Sequence, residues 1–239
     1  MHFQHSADIW RDFPTLVPGV IYADGITSDA ETQARAGTFA AIAQARLAAG
    51  PEAELAEIQA WRRAFARMGL KPTQYRCAAE SLLRRFRKEG SLPRLHPLVD
   101  LCNAVSLAFA IPVAVLDVDT IAWPLEVRYA AGDEDYLTFG GDTEHPAPGE
   151  VIFADQAGQA HARRWTNRQS GRSAVRDATA AVLIVAEALH DEAASDVREL
   201  TATLAAEIAA SWPVTPESAV LTPAAPRFTW SPSMKTRLG

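Results

Sequence analysis

The stretch RRWTNRQSGRS, residues 163–173, gathers four arginines with a tryptophan, an asparagine and a glutamine. Asn167 and Gln169 each carry both a donor and an acceptor. Arg168 offers a rigid fork matched to carboxylate or phosphate. The apolar run AAVLIVAEAL follows at 180–189, so the polar stretch borders a segment that reads as a strand buried on both faces. Strand alternation puts His161, Arg163 and Trp165 on one side, with Ala162 and Arg164 on the other. Composition leaves two readings open: a hydrogen-bonded turn, or the rim of a pocket for a polar ligand.

A second concentration is basic. Between positions 62 and 94 there are ten Lys or Arg and only Glu80 and Glu89 as acids, in a chain of net charge -6. The peak is RRFRK at 84–88. Arg84, Arg85, Arg87 and Lys88 flank the apolar Leu83 and Phe86, so they spread over the exposed side of one helix. That face is either simply solvated or turned toward phosphates, which would give affinity without sequence readout.

Other chemistries lack their residues. The chain has no P-loop, GxGxxG, HExxH, GxSxG or CxxC pattern. Its six histidines are scattered, with His2 and His5 in a start that reads as mobile. No three converge in sequence, so neither metal nor cofactor is expected. Cys77 and Cys102 sit far apart in apolar helical patterns and read as reduced core thiols. The first residues lack the layout of a signal peptide, and the longest apolar run contains Pro112 and is too short to span a bilayer. A soluble cytoplasmic protein is expected.

The elements that must hold these residues read as helices, then strands, then a helix. A short strand is expected at 19–23. SDAE at 28–31 fits a capping box before a helix running to about residue 48. Pro51 opens a second helix, with Leu55, Ile58, Trp61, Phe65 and Met68 on one face. A third spans 75–88. The fourth starts at Pro97 and is apolar nearly all round, which marks it as buried and leaves Asn103 and Ser106 needing partners. Short β-branched segments then alternate with turns, and 195–212 returns to helix. The layout is α+β (α/β mixed), with a mixed or mostly antiparallel sheet and flanking helices. One unit over 1–212 is expected, followed by an irregular tail at 213–239.

Read as one passage, LVDLCNAVSLAFAIPVAVLD at 98–117, the paired strands EVRYA and EVIFAD, and RRWTNRQS at 163–170 resemble the B3/B4 domain of the phenylalanyl-tRNA synthetase beta subunit. The resemblance is strongest to free-standing bacterial relatives of that domain and covers about 75–189. It implies an editing-domain fold that hydrolyses a wrong amino acid from tRNA, with a pocket between the sheet and the helix bearing Asn103. The family histidine is replaced by Ala114, and its glycine-rich turn by 166–170. Its editing glutamate falls near Val185 or Glu187. The tyrosine-specific pocket of the synthetase is therefore not carried over.

Hydrolysis of an already activated ester needs a placed water and a stabilised oxyanion more than a strong nucleophile. On the resemblance, Asn103, Trp165, Asn167, Arg168 and Gln169 line the pocket, Asp117 or Glu187 pairs with an α-ammonium, and Arg84, Arg85, Arg87 and Lys88 meet the tRNA backbone. The expected function is trans-acting editing of mischarged aminoacyl-tRNA. The alternative is a non-catalytic module that binds tRNA or an amino acid.

Overall fold

The computed structural model describes residues 1–231. Its chain order is β1 (His2–His5), α1 (Ala7–Asp12), β2 (Val17–Asp24), α2 (Gln33–Ala49), α3 (Ala56–Arg67), α4 (Ala78–Glu89), α5 (Pro97–Phe109), β3 (Val113–Asp117) and β4 (Leu125–Tyr129). There follow β5 (Tyr136–Leu137), β6 (Thr143–Glu144), β7 (Val151–Asp155), β8 (Ala160–Arg163), β9 (Arg168–Gln169), β10 (Ala181–Ala188), α6 (Ala193–Ser211), β11 (Glu217–Val220) and β12 (Arg227–Thr229). The fold is α+β, with two main sheets and flanking helices.

One sheet has six strands in the order β12-β1-β4-β7-β8-β9, and the other has four in the order β11-β2-β10-β3. Among the described residues only β1 and β4 pair in parallel; the other strand pairs are antiparallel. The central strand β10 explains the layering. Leu183 and Val185 point into the core shared with Phe3, Phe153 and Trp165, between the two sheets. Val182, Ile184 and Ala186 point the other way, against Leu101 and Val105 of α5 and Val197 and Leu200 of α6. Period-two alternation with both faces covered is what an unbroken apolar strand requires. Gly19 of β2 lies so close to α6 that a Cβ there would collide with Thr201 and Val197.

Helix α5 starts at the expected Pro97 and stops at Ala110, whose φ of 56° ends the helical path before Pro112. Ser106, fully buried, donates to Ile111 O at 2.6 Å. Both cysteines are free and buried, and burial pushes the Cys77 thiol up to about 12.

Several sequence expectations are corrected. The 213–239 segment is not wholly irregular: β11 extends the β2 edge and β12 extends the β1 edge, anchored by buried Leu221, Phe228 and Trp230. Residues 232–239 lie outside the described residues. The start is β1, with Phe3 and His5 both buried, rather than a mobile arm. The SDAE segment caps nothing; α2 begins at Gln33, and the Thr32 hydroxyl donates to Pro97 O at 3.0 Å instead of capping its own helix. After Pro51 comes a single 3-10 turn at Glu52–Glu54, and the α-helix proper starts at Ala56.

Candidate functional site

The two sheets do not close completely on each other. They leave a cavity of about 60 Å³, walled by Val113 and Ala114 of β3, Phe153 of β7, Ala162 of β8, Val185 and Glu187 of β10, and the 165–169 segment. Strand register sets this wall. Val185 stands opposite Ala114, and Ala162 stands opposite both Phe153 and Gln169. Glu187 is two residues beyond Val185 on the same strand, so it shares that face.

Glu187 is 1% exposed. A carboxylate this buried must be paired or hydrogen-bonded. Its Oε1 lies 2.7 Å from His5 Nε2 and accepts the Trp165 indole N–H at 2.8 Å. Its backbone carbonyl accepts the Trp61 indole N–H at 3.2 Å. Oε2 carries no hydrogen bond among the described residues. With the His5 proton on Nε2, the ring's Nδ1 is a bare acceptor, buried and without a partner. One face of the cavity is thus a buried carboxyl group with one oxygen uncommitted.

Trp165 reaches the cavity through an unusual turn. Arg164 and Trp165 both have positive φ, 47° and 57°. For two successive residues with side chains this costs on the order of 1–3 kcal/mol each and persists only where surroundings impose it. Those surroundings are visible. Arg163 grips Glu150 with two nitrogens at 2.8 and 2.9 Å, Arg164 N donates to Glu150 Oε1 at 2.9 Å, and Trp165 N donates to Val151 O at 2.7 Å. Thr166 O accepts Ala78 N at 2.8 Å. The Trp165 ring then stands edge-on to Trp61 and Phe13, with centroids 5.0 and 4.7 Å away. The side of Trp165 is therefore set by the turn after β8 and not by strand alternation.

Outside the cavity, sharing Arg168 and Gln169 with it, lies a cleft of about 420 Å³ lined by Tyr136, Thr138, Phe139, Asp142 and Glu144. Phe139 is 74% exposed at the rim of this cleft. Arg168 lies over the Tyr136 ring at 5.4 Å and reaches Glu144 at 3.3 Å.

A family model described as the B3/4 domain matches residues 60–209. The chain belongs to the B3/4 domain family. It is 33% identical over 64 residues to the phenylalanine–tRNA ligase beta subunit of Mannheimia succiniciproducens, a match covering 27% of this chain and 8% of that subunit. It is also similar to an N-terminal fragment of the phenylalanyl-tRNA synthetase beta subunit from Pyrococcus horikoshii. That likeness has a TM-score of 0.47 and 10% identity, and it covers 91% of this chain and 53% of that one. This B3/4 protein thus spans only part of the length of the relatives it matches.

Of the residues singled out in the sequence, the B3/4 fold brings Trp165, Asn167, Arg168, Gln169 and Glu187 to one cavity. The two amides are committed within the protein: Asn167 Nδ2 donates to Arg76 O and Gln169 Nε2 to Val115 O, both at 2.7 Å. Asn103 lies elsewhere. It lines a groove of about 410 Å³ between α2, α5 and the loop at 90–94, and its side chain has no hydrogen-bond partner among the described residues. Asp117 ends β3, where it accepts Thr179 Oγ1 at 2.6 Å and Asp119 N at 3.0 Å.

On α4, Arg84 and Arg87 both reach the buried Glu52, and Arg85 pairs with Glu89. Lys88 is exposed and unpaired among the described residues. As to metals, Glu57, His190 and Asp196 bring ligand atoms within 4.8 Å of one another. His190 Nε2 is already 2.7 Å from Asp196 and Glu57 already accepts Arg46 at 2.5 Å, while His190 Nδ1 is buried without a hydrogen-bond partner.

Sequence reasoning missed His5. It pairs with a carboxylate 182 residues away. The one available signal was the alternation in HFQH, which puts Phe3 and His5 on one face.

Proposed function

We propose that this B3/4 protein hydrolyses the ester of a mischarged aminoacyl-tRNA, acting in trans in the cytoplasm. The observation that carries the reading is Glu187, a buried carboxylate with one uncommitted oxygen on the wall of a small cavity. The α-ammonium of an aminoacyl group is the cation that such an oxygen accepts. Held there, the ester carbonyl lies toward the 166–169 rim and the terminal nucleoside falls into the outer cleft. In that cleft Phe139 offers a stacking face for a base, and Asp142 and Glu144 accept ribose hydroxyls.

The reaction needs no resident nucleophile. A water oxygen adds to the ester carbonyl carbon, and the bond to the ribose oxygen breaks. That oxygen leaves with one of the water's protons, the other passes to solvent, and the amino acid departs as its zwitterion. Binding that fixes the ester and the water together supplies the rate. The basic face of α4, through Arg84, Arg85, Arg87 and Lys88, would meet tRNA phosphates and set a salt-dependent affinity.

A non-catalytic binding module is the second reading. It is favoured by the prior engagement of Glu187 Oε1 with two partners within the protein, His5 and Trp165. Deacylation of a panel of mischarged tRNAs by the purified protein, with Glu187→Gln and Arg168→Ala in parallel, separates the two. Accelerated loss of an ester, slowed in the variants, supports hydrolysis. Salt-sensitive tRNA binding with unaltered ester lifetimes supports the module.

A further inference from the structure

We infer that the cavity selects an aminoacyl group with a very short side chain, that of alanine or glycine, and excludes aromatic and branched ones. The inference rests on the proposed binding of an aminoacyl ester, and it names the class of amino acid.

Volume decides first. The cavity measures about 60 Å³. An apolar cavity of about 150 Å³ is needed to take a benzene ring, and one water needs roughly 10–15 Å³ on the same kind of measure. The space therefore holds only a few heavy atoms. An α-ammonium at Glu187 uses part of it, so what remains fits a methyl group.

The lining decides next. Toward the interior it is Ala114, Phe153, Ala162, Trp165 and Val185, all apolar. The amides that would read a hydroxyl, Asn167 and Gln169, already donate to backbone carbonyls. A phenol pressed against these apolar side chains would be desolvated on that side, at a cost that a built polar site would avoid.

Rigidity decides last. Enlarging the cavity requires moving Trp165 or Phe153. Trp165 is fully buried, hydrogen-bonded to Glu187 and wedged against Trp61 and Phe13. The Phe153 ring lies tilted against Phe3, with centroids 5.9 Å apart. The inner side of the space is closed by groups that other contacts hold.

The test uses stable amides, so that it does not depend on catalysis. Adenosine analogues carrying alanine, valine or tyrosine in amide linkage at the 3′ position are titrated calorimetrically into the full chain. The alanyl amide is expected to bind at least about 30-fold tighter than the tyrosyl amide, within the range one or two misfit groups produce. Val185→Ala, which widens the wall, is expected to bring the valyl amide up to the alanyl one. Ala114→Val, at a half-buried position, is expected to abolish alanyl binding while circular dichroism stays native. Equal binding of alanyl and tyrosyl amides, or no response of the valyl amide to Val185→Ala, overturns the inference. Selective alanyl binding with no ester hydrolysis would leave the size selection standing and remove the hydrolase reading instead.

Discussion

The indole nitrogen of Trp165 sits 2.8 Å from Oε1 of Glu187, and that single hydrogen bond joins the turn after β8 to the central strand of the other sheet. A backbone turn with two positive φ values delivers the ring, and a buried carboxylate receives it. The same contact closes one side of the cavity and holds the Glu187 carboxyl group in place within it. Removing the N–H while keeping an aromatic body tests how much it contributes. Trp165→Phe is expected to destabilise by about 2–4 kcal/mol, the sum of a lost hydrogen bond to a charged group and a partly filled void. Urea unfolding at neutral pH reads this as a lower midpoint with unchanged slope.

Two glycines are expected to respond in opposite directions to the same change. Gly19 faces α6 with no room for a methyl group, so Gly19→Ala overpacks the sheet–helix contact and costs about 1–3 kcal/mol. Gly37 lies within α2 with open space where its Cβ would go, so Gly37→Ala is expected to stabilise by about 0.5–1 kcal/mol. Thermal unfolding of the pair checks both signs at once.

His96 ties stability to mildly acidic pH. Its Nδ1 accepts Leu98 N–H at the start of α5, and burial holds its pKa below the ordinary 6.5. Between the folded value and 6.5 the unfolded chain binds the proton and the folded one does not. Stability from this group is therefore fully present above 6.5 and falls as pH drops below it. His96→Asn, which keeps a capping acceptor without titrating, is expected to flatten that limb of the stability-against-pH curve.

Asp155 acts at lower pH. Burial alone would raise its pKa. Bonds from His161 and from the backbone of Gln159 and Ala122 outweigh burial and hold it below 3.8. Its contribution is present above 3.8 and is lost as pH falls through the depressed folded value. In Asp155→Asn the loss below 3.8 is expected to be shallower than in the parent, as read by chemical denaturation across acid pH.

If α4 faces tRNA, its exposed cations that do not brace the fold are the ones to remove. Arg85 pairs only with exposed Glu89, and Lys88 has no partner among the described residues. Arg85→Gln with Lys88→Gln is expected to weaken tRNA binding uniformly across sequences. The slope of log affinity against log salt should fall by about 1 per contact removed. Arg84 and Arg87 are poorer choices, because losing them leaves Glu52 buried and unpaired.

Much of this was legible in the sequence where patterns are long. The run at 180–189 reads as a doubly covered strand because its apolar run has no break, and Pro97 and Pro112 bracket α5 unambiguously. The terminal strands escaped because three or four residues give one alternation at most, and their pairing partners are far away in the chain. Val185 and Glu187, the two positions the resemblance left open, are two apart on one strand and so share a face, and both line the cavity. Asn103 shows the opposite lesson. Its helix was legible but not its rotation, and packing of α5 on α2 turns Asn103 to another groove.

The decisive measurement is the decay of an alanyl ester on a non-cognate tRNA, followed with the parent protein and with Glu187→Gln under single-turnover conditions. Decay about 100-fold or more above the spontaneous rate, returning close to that rate in Glu187→Gln, is expected if a charged Glu187 orients the substrate. Decay at the spontaneous rate with the parent, or an acceleration that Glu187→Gln leaves intact, would contradict a hydrolytic site at this cavity.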